Sequence, residues 1–133
     1  MTTLNELKLK KGDTLFIYGN WNGDQQETID FFIQEYTIHS IGKIRCYLIY
    51  NNNVNTKKEY SSTLKINAAL TLEDAAIKCK EYQAQYSAAE LKNYDWRINN
   101  STDKRYIDLI LKMRDNLIKA PQRVLLNPYI TKP

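Results

Sequence analysis

The side chains best suited to nucleophilic chemistry in this sequence are one histidine and one cysteine, His39 and Cys46. A thiolate beside an imidazolium is an activated nucleophile. A tight turn at Gly42-Lys43 would place the two side chains opposite each other on neighbouring strands. No third residue that would orient the histidine is identifiable. We therefore interpret the pair as half-buried strand neighbours and predict that the protein is not an enzyme.

Four carboxylates cluster before and within the second predicted strand: Asp24, Glu27, Asp30 and Glu35. Such groups can bind a cation or act as acid and base. Their spacing matches no known metal loop, so we interpret them as a solvated edge of the sheet. One histidine and two separated cysteines do not make a usual zinc site, and the four glycines form no phosphate loop. We therefore expect no metal and no cofactor.

Positive charge is concentrated in the last quarter of the chain. The formal net charge is +4 and the sequence pI is about 9.0. Residues 101–133 carry seven Lys and Arg against three Asp and Glu. These cations could contact phosphates or an acidic partner, although a solvated helix face is the simpler interpretation. The candidate partner-binding cations are Lys104, Arg105, Lys112, Arg114, Lys119 and Arg123.

Aromatic side chains are the other candidates for binding. Trp21 lies in the polar stretch GNWNGD, where it would cover one end of the core or act as a stacking anchor. The chain also contains ten tyrosines. Because tyrosine combines apolar area with a polar tip, it suits both half-buried cores and interfaces. We expect most of them to be structural.

The element that must position His39 and Cys46 is a β-hairpin over Phe31–Tyr50. This stretch is rich in the β-branched and aromatic residues that suit a pleated surface. A type II′ turn with Gly42 at positive φ predicts the pairs Ile41–Ile44, His39–Cys46, Thr37–Leu48 and Tyr36–Ile49. One face would then carry Phe32, Tyr36, Ile38, Tyr47 and Ile49, and the other Ile41, Ile44, Cys46, Leu48 and Tyr50.

Further strands and then helices are predicted around this hairpin. Thr14–Tyr18 is predicted as the first strand, and Lys57–Ile66 as a strand that is bent near Ser61-Ser62. Helical periodicity begins at Thr71, and a second capping signal at Ser87 predicts a kink or a new helix. Asp103–Ala120 is the clearest helix and ends at Pro121. The residues beyond it would form a short edge strand or a docking segment.

The first half of the chain resembles the small SH3-like β-barrel proteins encoded by phages and prophages. The residues that carry this resemblance are LKKGDTLFIY (Leu9–Tyr18), EYTIHSIGKIRCYLIY (Glu35–Tyr50) and KEYSSTLKI (Lys58–Ile66). Since most such proteins have no assigned function, the resemblance implies a fold and carries over no functional residue.

We therefore predict an α+β protein, a small SH3-like antiparallel β-barrel followed by two or three α-helices. It would be a single domain over residues 1–133, with the barrel at about 9–66, the helical part at about 71–120 and a tail at 121–133. No apolar run is long enough to span a membrane, and the N-terminus lacks the apolar core of a signal peptide, so we expect a cytoplasmic protein.

Three functions are compatible with these features. The leading hypothesis is a non-enzymatic phage or mobile-element accessory protein that inhibits a host defence macromolecule, a protein or nucleoprotein complex, by direct contact. The first alternative is a nucleic-acid-binding module that uses the six cations and exposed aromatics. The second is a small-ligand sponge. The wide apolar face of Asp103–Ala120 could also support a homodimer.

Overall fold

The computed structural model of the protein describes residues 1–21, 28–50 and 52–131. Its strands are β1 (Thr14–Asn20), β2 (Ile29–Ile41), β3 (Arg45–Ile49), β4 (Lys58–Ser61), β5 (Ala68–Ala69) and β6 (Gln122–Leu126). Its helices are α1 (Leu4–Leu7), α2 (Leu72–Asn99), α3 (Lys104–Lys119) and α4 (Pro128–Thr131). The predicted α+β class is confirmed, with a largely antiparallel sheet followed by two long helices.

All six strands belong to one open sheet. The order is β4-β3-β2-β1-β5, and β6 joins β2 outside this path. β4 and β5 lie at the two ends of that order, and no pairing between strands of the described residues closes the sheet into a barrel. The pairing of β1 with β5 was not predicted, because β5 falls between the last predicted strand and the first predicted helix.

β2 is the strand that holds the sheet together. One edge of β2 pairs with β1 along its length, from Asn20↔Phe31 to Thr14↔Thr37. The other edge is divided between two partners. Residues 37–41 pair with β3 in antiparallel fashion, and residues 29–33 pair with β6 in parallel fashion. A single 13-residue strand therefore contacts three others.

The predicted hairpin is present, but the strand register that we predicted for it is wrong. Cys46 pairs with Ile41 and not with His39, and a β-bulge leaves His39 between the paired residues Ile38 and Ser40. The turn is shifted by one residue toward the C-terminus, because the Gly42 N–H donates to the Arg45 carbonyl at 2.8 Å and so encloses Lys43-Ile44. Gly42 is also not at positive φ. The predicted type II′ turn is therefore wrong.

This slip exchanges the faces of β3, because successive side chains of a strand point to opposite sides. Cys46 and Leu48 lie on the same side as Tyr36 and Ile38, in the first core. Ile44, which was predicted to share an apolar face with Cys46 and Leu48, is 70% exposed.

The first core lies on one face of the sheet. α1 covers it with Leu4, which is fully buried, and the Thr3 side chain caps this short helix by accepting from the Glu6 N–H at 3.1 Å. The short α1 was not predicted. The buried members of the first core are Leu4, Leu15, Ile17, Tyr36, Ile38, Cys46, Leu48 and Ala68.

The second core lies on the opposite face, under α2. Alternation along β1 and β2 sends Tyr18, Phe31 and Ile33 to this side, where Ala75 and Cys79 of α2 meet them. α2 begins at its N-cap Thr71, whose hydroxyl accepts from the Asp74 N–H at 3.1 Å. The helix then continues without interruption for 28 residues.

The new helix predicted at Ser87 is therefore wrong, because α2 continues through this residue. The Ser87 hydroxyl does not cap a helix; it accepts a hydrogen bond from the Gln122 amide at 2.9 Å. α3 packs against the second half of α2, and its buried Ile110 lies in this contact. Within residues 1–21, 28–50 and 52–131, no helix has both the length and the apolar character that a bilayer span requires.

We expect Leu48→Ala to lower the free energy of unfolding by about 2–5 kcal/mol, because it leaves a cavity in the first core. Urea unfolding followed by circular dichroism measures this change. Leu64→Ala is the matched control, since Leu64 is 65% exposed and its truncation should change stability by less than about 0.5 kcal/mol. Equal effects of the two substitutions would contradict the assignment of the core.

Candidate protein-binding site

α3 is the helix with the most uncovered apolar surface. It begins at Asp103, whose carboxylate accepts from the Arg105 N–H at 2.9 Å, and it stops before Pro121. Ile110 is buried against α2, while Ile107 and Leu117 beside it are half-buried. One stripe of α3 therefore packs against α2, whereas the two flanks on either side of this stripe do not.

One flank of α3 exposes three large side chains that recur at three- and four-residue steps, namely Tyr106, Leu109 and Met113. Leu109 is 54% exposed. The other flank exposes Leu111 and Ile118. Contiguous exposed apolar side chains are uncommon on monomeric proteins and mark interaction surfaces.

The six predicted cations fall into two groups. In the first group, each cation already has a carboxylate partner. Arg114 Nε lies 2.7 Å from Asp95, Lys119 Nζ lies 3.1 Å from Asp115, and Arg123 binds Asp30. Arg114 thus joins α3 to α2.

The second group is Lys104, Arg105 and Lys112, all exposed on α3. In the part of the chain that the structure describes, these three form no ion pair. Arg105 and Lys112 are seven residues apart, which places them on one side of the helix, next to the flank of Tyr106, Leu109 and Met113. α3 therefore combines free cations with exposed apolar side chains.

Trp21 and Arg123 are brought together by one residue, Asp30. The Trp21 backbone N–H donates to the Asp30 carbonyl at 2.8 Å. The Arg123 guanidinium donates twice to the Asp30 carboxylate, at 2.9 and 2.8 Å. Asp30 is only 5% exposed, so the prediction of a solvated carboxylate is wrong for this residue.

The other predicted carboxylates are not part of this arrangement. Glu35 is exposed, and Asp24 and Glu27 lie outside the described residues. No group of three or more His, Cys, Asp or Glu side chains within the described residues is placed to hold a metal ion.

The Trp21 ring packs in an aromatic cluster with residues that are far apart in the sequence. Its centroid lies 6.0 Å from that of Phe32 and 5.1 Å from that of Tyr129, both edge to face. Tyr129 also contacts Tyr50, and Lys58 Nζ lies 4.0 Å from the Tyr129 ring centroid. The half-buried Trp21 thus has a packing role, which is the structural one of the two roles predicted for it.

Tyr129 is a contact residue that the sequence interpretation missed. It belongs to the C-terminal tail, defined here as residues 121–131, which was expected only as an edge strand or a docking segment. The edge strand is present as β6, whereas Tyr129 lies beyond it in α4, which was not predicted.

His39 and Cys46 do not form the proposed nucleophile pair. The register places Ile41 opposite Cys46, and His39 Nδ1 is buried without a hydrogen-bond partner among the described residues. Burial in the first core raises the pKa of the Cys46 thiol to about 11. Burial also raises the pKa of Cys79. Both thiols are therefore held in the protonated form, which is the weaker nucleophile.

A pocket of about 250 Å³ lies between β1 and the first turns of α2. Two tyrosines and a cation contribute to its wall, but Lys78 already pairs with Asp74 at 3.1 Å. The lining residues are Met1, Tyr18, Asn67, Lys78, Glu81, Tyr82 and Gln85.

Comparison of the chain with protein-family models, with curated proteins and with solved structures found no match.

The ion pair of Asp30 with Arg123 predicts a pH dependence of stability. The hydrogen bond from Arg123 is the main reason that the pKa of Asp30 lies below its usual value. Since the unfolded chain binds this proton more tightly, with a pKa of about 3.9, the contribution is complete above about pH 4. It is lost as the pH falls through the lower pKa of the folded state.

We therefore expect Arg123→Gln to reduce the loss of unfolding free energy between pH 5 and pH 2, measured by urea titration at each pH. Lys104→Gln is the control, because Lys104 is an exposed cation without an ion pair in the described part of the chain. An Arg123→Gln variant that loses stability with acid as steeply as wild type would contradict the assignment.

Proposed function

We propose that the protein is a non-enzymatic binding protein that docks a protein partner on one side of α3. The docking surface consists of Arg105, Tyr106, Leu109, Lys112 and Met113. The observation that carries the proposal is that Tyr106, Leu109 and Met113 are exposed on one flank of a helix whose neighbouring stripe is already packed against α2.

The composition of the docking surface matches the centre of a protein interface. Tyrosine, methionine and arginine are enriched in such interfaces, and arginine and tyrosine are common among the residues that dominate binding energy. A helix that offers anchors at three- and four-residue steps fits a groove or a second helix. These features favour an apolar partner surface bordered by carboxylates.

The partner that we propose is a host defence macromolecule, which the chain inhibits by covering its surface. This part of the proposal rests on the resemblance of residues 9–66 to SH3-like phage proteins. The proposed cellular context is the host cytoplasm, with the chain supplied by a phage or another mobile element.

Direct nucleic-acid binding is the weaker alternative. Arg114, Lys119 and Arg123 are engaged by carboxylates, which leaves only half of the candidate cations for phosphates. Asp108 and Asp115 also lie on the polar side of α3. Because a nucleic-acid surface needs a continuous run of positive charge, this alternation of signs is unfavourable.

Two pockets within the described residues bear on a small-ligand function. The one of about 310 Å³ beside Leu4 and Gly42 has no aromatic side chain in its wall. The one beside Tyr18 and Tyr82 has about 250 Å³, below the roughly 300–1,000 Å³ that is usual for ligand pockets, and its cation is already paired with Asp74. We therefore place this function below protein binding.

We expect Leu109→Lys/Met113→Lys to abolish partner capture, because two charges would have to be buried in the interface. Bacterial lysate is passed over immobilised wild-type and variant proteins, and retained proteins are quantified by mass spectrometry. Retention of the partner should fall about tenfold or more, which corresponds to at least about 1.4 kcal/mol of binding free energy.

The matched control is Ile44→Lys/Leu64→Lys, which adds the same charges at exposed apolar positions away from α3. It should retain the partner as wild type does. Equal loss with both double variants, or equal retention, would contradict the assignment of the docking surface.

We also expect no complex when the protein is mixed with short DNA and RNA at low ionic strength and analysed by size-exclusion chromatography with light scattering. The physical reason is the interruption of the cationic side of α3 by Asp108 and Asp115. A complex that disappears at high salt, and that Arg105→Glu/Lys112→Glu abolishes, would instead establish the nucleic-acid alternative.

A further inference from the structure

The C-terminal tail is held by a groove with its own buried polar acceptors. The groove is formed by residues 29–35 of β2 together with the rings of Trp21, Phe32 and Tyr50. Gln34 is fully buried, and its Oε1 accepts from the Tyr129 N–H at 3.0 Å. Asp30 is nearly as buried and accepts from Arg123. Two buried polar side chains of β2 are thus directed at the tail.

The tail is recognised at alternate positions. In the parallel ladder, Arg123 lies beside Asp30 and Leu125 lies beside Phe32. Asn127 then donates its N–H to the Ile33 carbonyl at 2.9 Å, and its side-chain oxygen accepts from the Glu35 N–H at 2.9 Å. The groove therefore recognises arginine and leucine on the extended β6, asparagine at the turn that follows it, and tyrosine in α4.

The junction between α3 and the tail is extended. Ala120 has φ −65° and ψ 132°, in the region that a following proline imposes on the preceding residue. The Pro121 carbonyl accepts from the Ile29 N–H at 2.9 Å, where the tail enters the groove. This extended junction directs the tail away from α3. It is the hinge at which the chain would change direction if the tail left the groove.

Exposed apolar side chains surround this hinge. Ile118 precedes it on α3, and Val124 and Leu126 follow it on β6. Leu126 is 57% exposed. Val124 and Leu126 lie beside Phe31 and Ile33, so they lie on the α2 side of the sheet. These residues are separate from the docking surface on α3, and a second molecule at the hinge would cover them.

We infer that the groove also accepts the tail of a second copy of the chain, so that two copies exchange residues 121–131 reciprocally. Every contact within the groove is then kept, and only the hinge changes direction. The tail of the same chain competes at an effective concentration on the order of millimolar, so the exchanged dimer increases with protein concentration. Coverage of Ile118, Val124 and Leu126 favours the dimer.

The test uses two full-length variants with opposite charge changes, Asp30→Arg and Arg123→Asp. Each variant alone has like charges at the groove, both within one chain and between two identical chains. In an equimolar mixture, exchange places the tail that carries Arg123→Asp in the groove that carries Asp30→Arg. The two substituted side chains then have opposite charges. The other groove then pairs the two native residues. We expect each variant alone to be monomeric and the mixture to show twice that mass by light scattering.

The control is the double variant Asp30→Arg/Arg123→Asp, which restores opposite charges within one chain and should behave as wild type. A mixture that stays monomeric would overturn the inference. So would dimers of either variant alone, since these would form through another surface.

A second measurement needs no substitution, in case the Asp30→Arg change prevents folding. Isotope-labelled and unlabelled wild-type chains are mixed at millimolar concentration, and intermolecular nuclear Overhauser effects are recorded. Contacts between the Tyr129 ring of one chain and the Trp21 or Phe32 ring of the other support exchange. A concentrated sample without these intermolecular contacts overturns it.

Discussion

The backbone hydrogen bonds of β2 are the constraint on which the rest of the structure depends. A strand of 13 residues presents two long edges of N–H and C=O groups, and buried groups of this kind must be paired. β1 satisfies one edge, but β3 reaches only the last third of the other. The tail fills the remainder, and Asn127 closes the gap between the two partners by bonding Ile33 and Glu35. The sheet and the tail are therefore one unit.

The two cores follow from the alternation of side chains along this strand. Tyr36 and Ile38 face α1 and the first core, while Phe31 and Ile33 face α2. Because both faces of β2 are covered, Tyr36 is buried on one face of the sheet and Phe31 on the other. Tyr36 contacts the rings of Tyr50 and Tyr60, and Phe31 contacts the rings of Tyr82 and Tyr86. The tyrosines named here therefore pack against the two cores.

The sequence was informative where a pattern is local. Periodicity predicted β1, β2, α3 and most of α2, because apolar spacing and capping residues report on the segment that contains them. The hairpin register was not predictable, because a turn shifted by one residue and a bulge at His39 change it, and either register buries apolar side chains. Of the candidate site, the α3 cations were identifiable by type. The pairing of Arg114 on α3 depends on Asp95, and that of Arg123 on β6 depends on Asp30. Both carboxylates are distant in sequence from their partners.

The pairing of β6 with β2 has a consequence for folding kinetics. Asp30 and Arg123 are 93 residues apart. The pairing of β6 with the edge of β2 therefore requires the closure of a very long loop, which is slow. β1, β2 and β3 can pair earlier, since they are neighbours along the chain. A chain in which β1, β2 and β3 have paired but β6 has not would expose the unpaired backbone groups of the β2 edge, and such edges promote aggregation. Refolding yield should accordingly depend on protein concentration more than native solubility does.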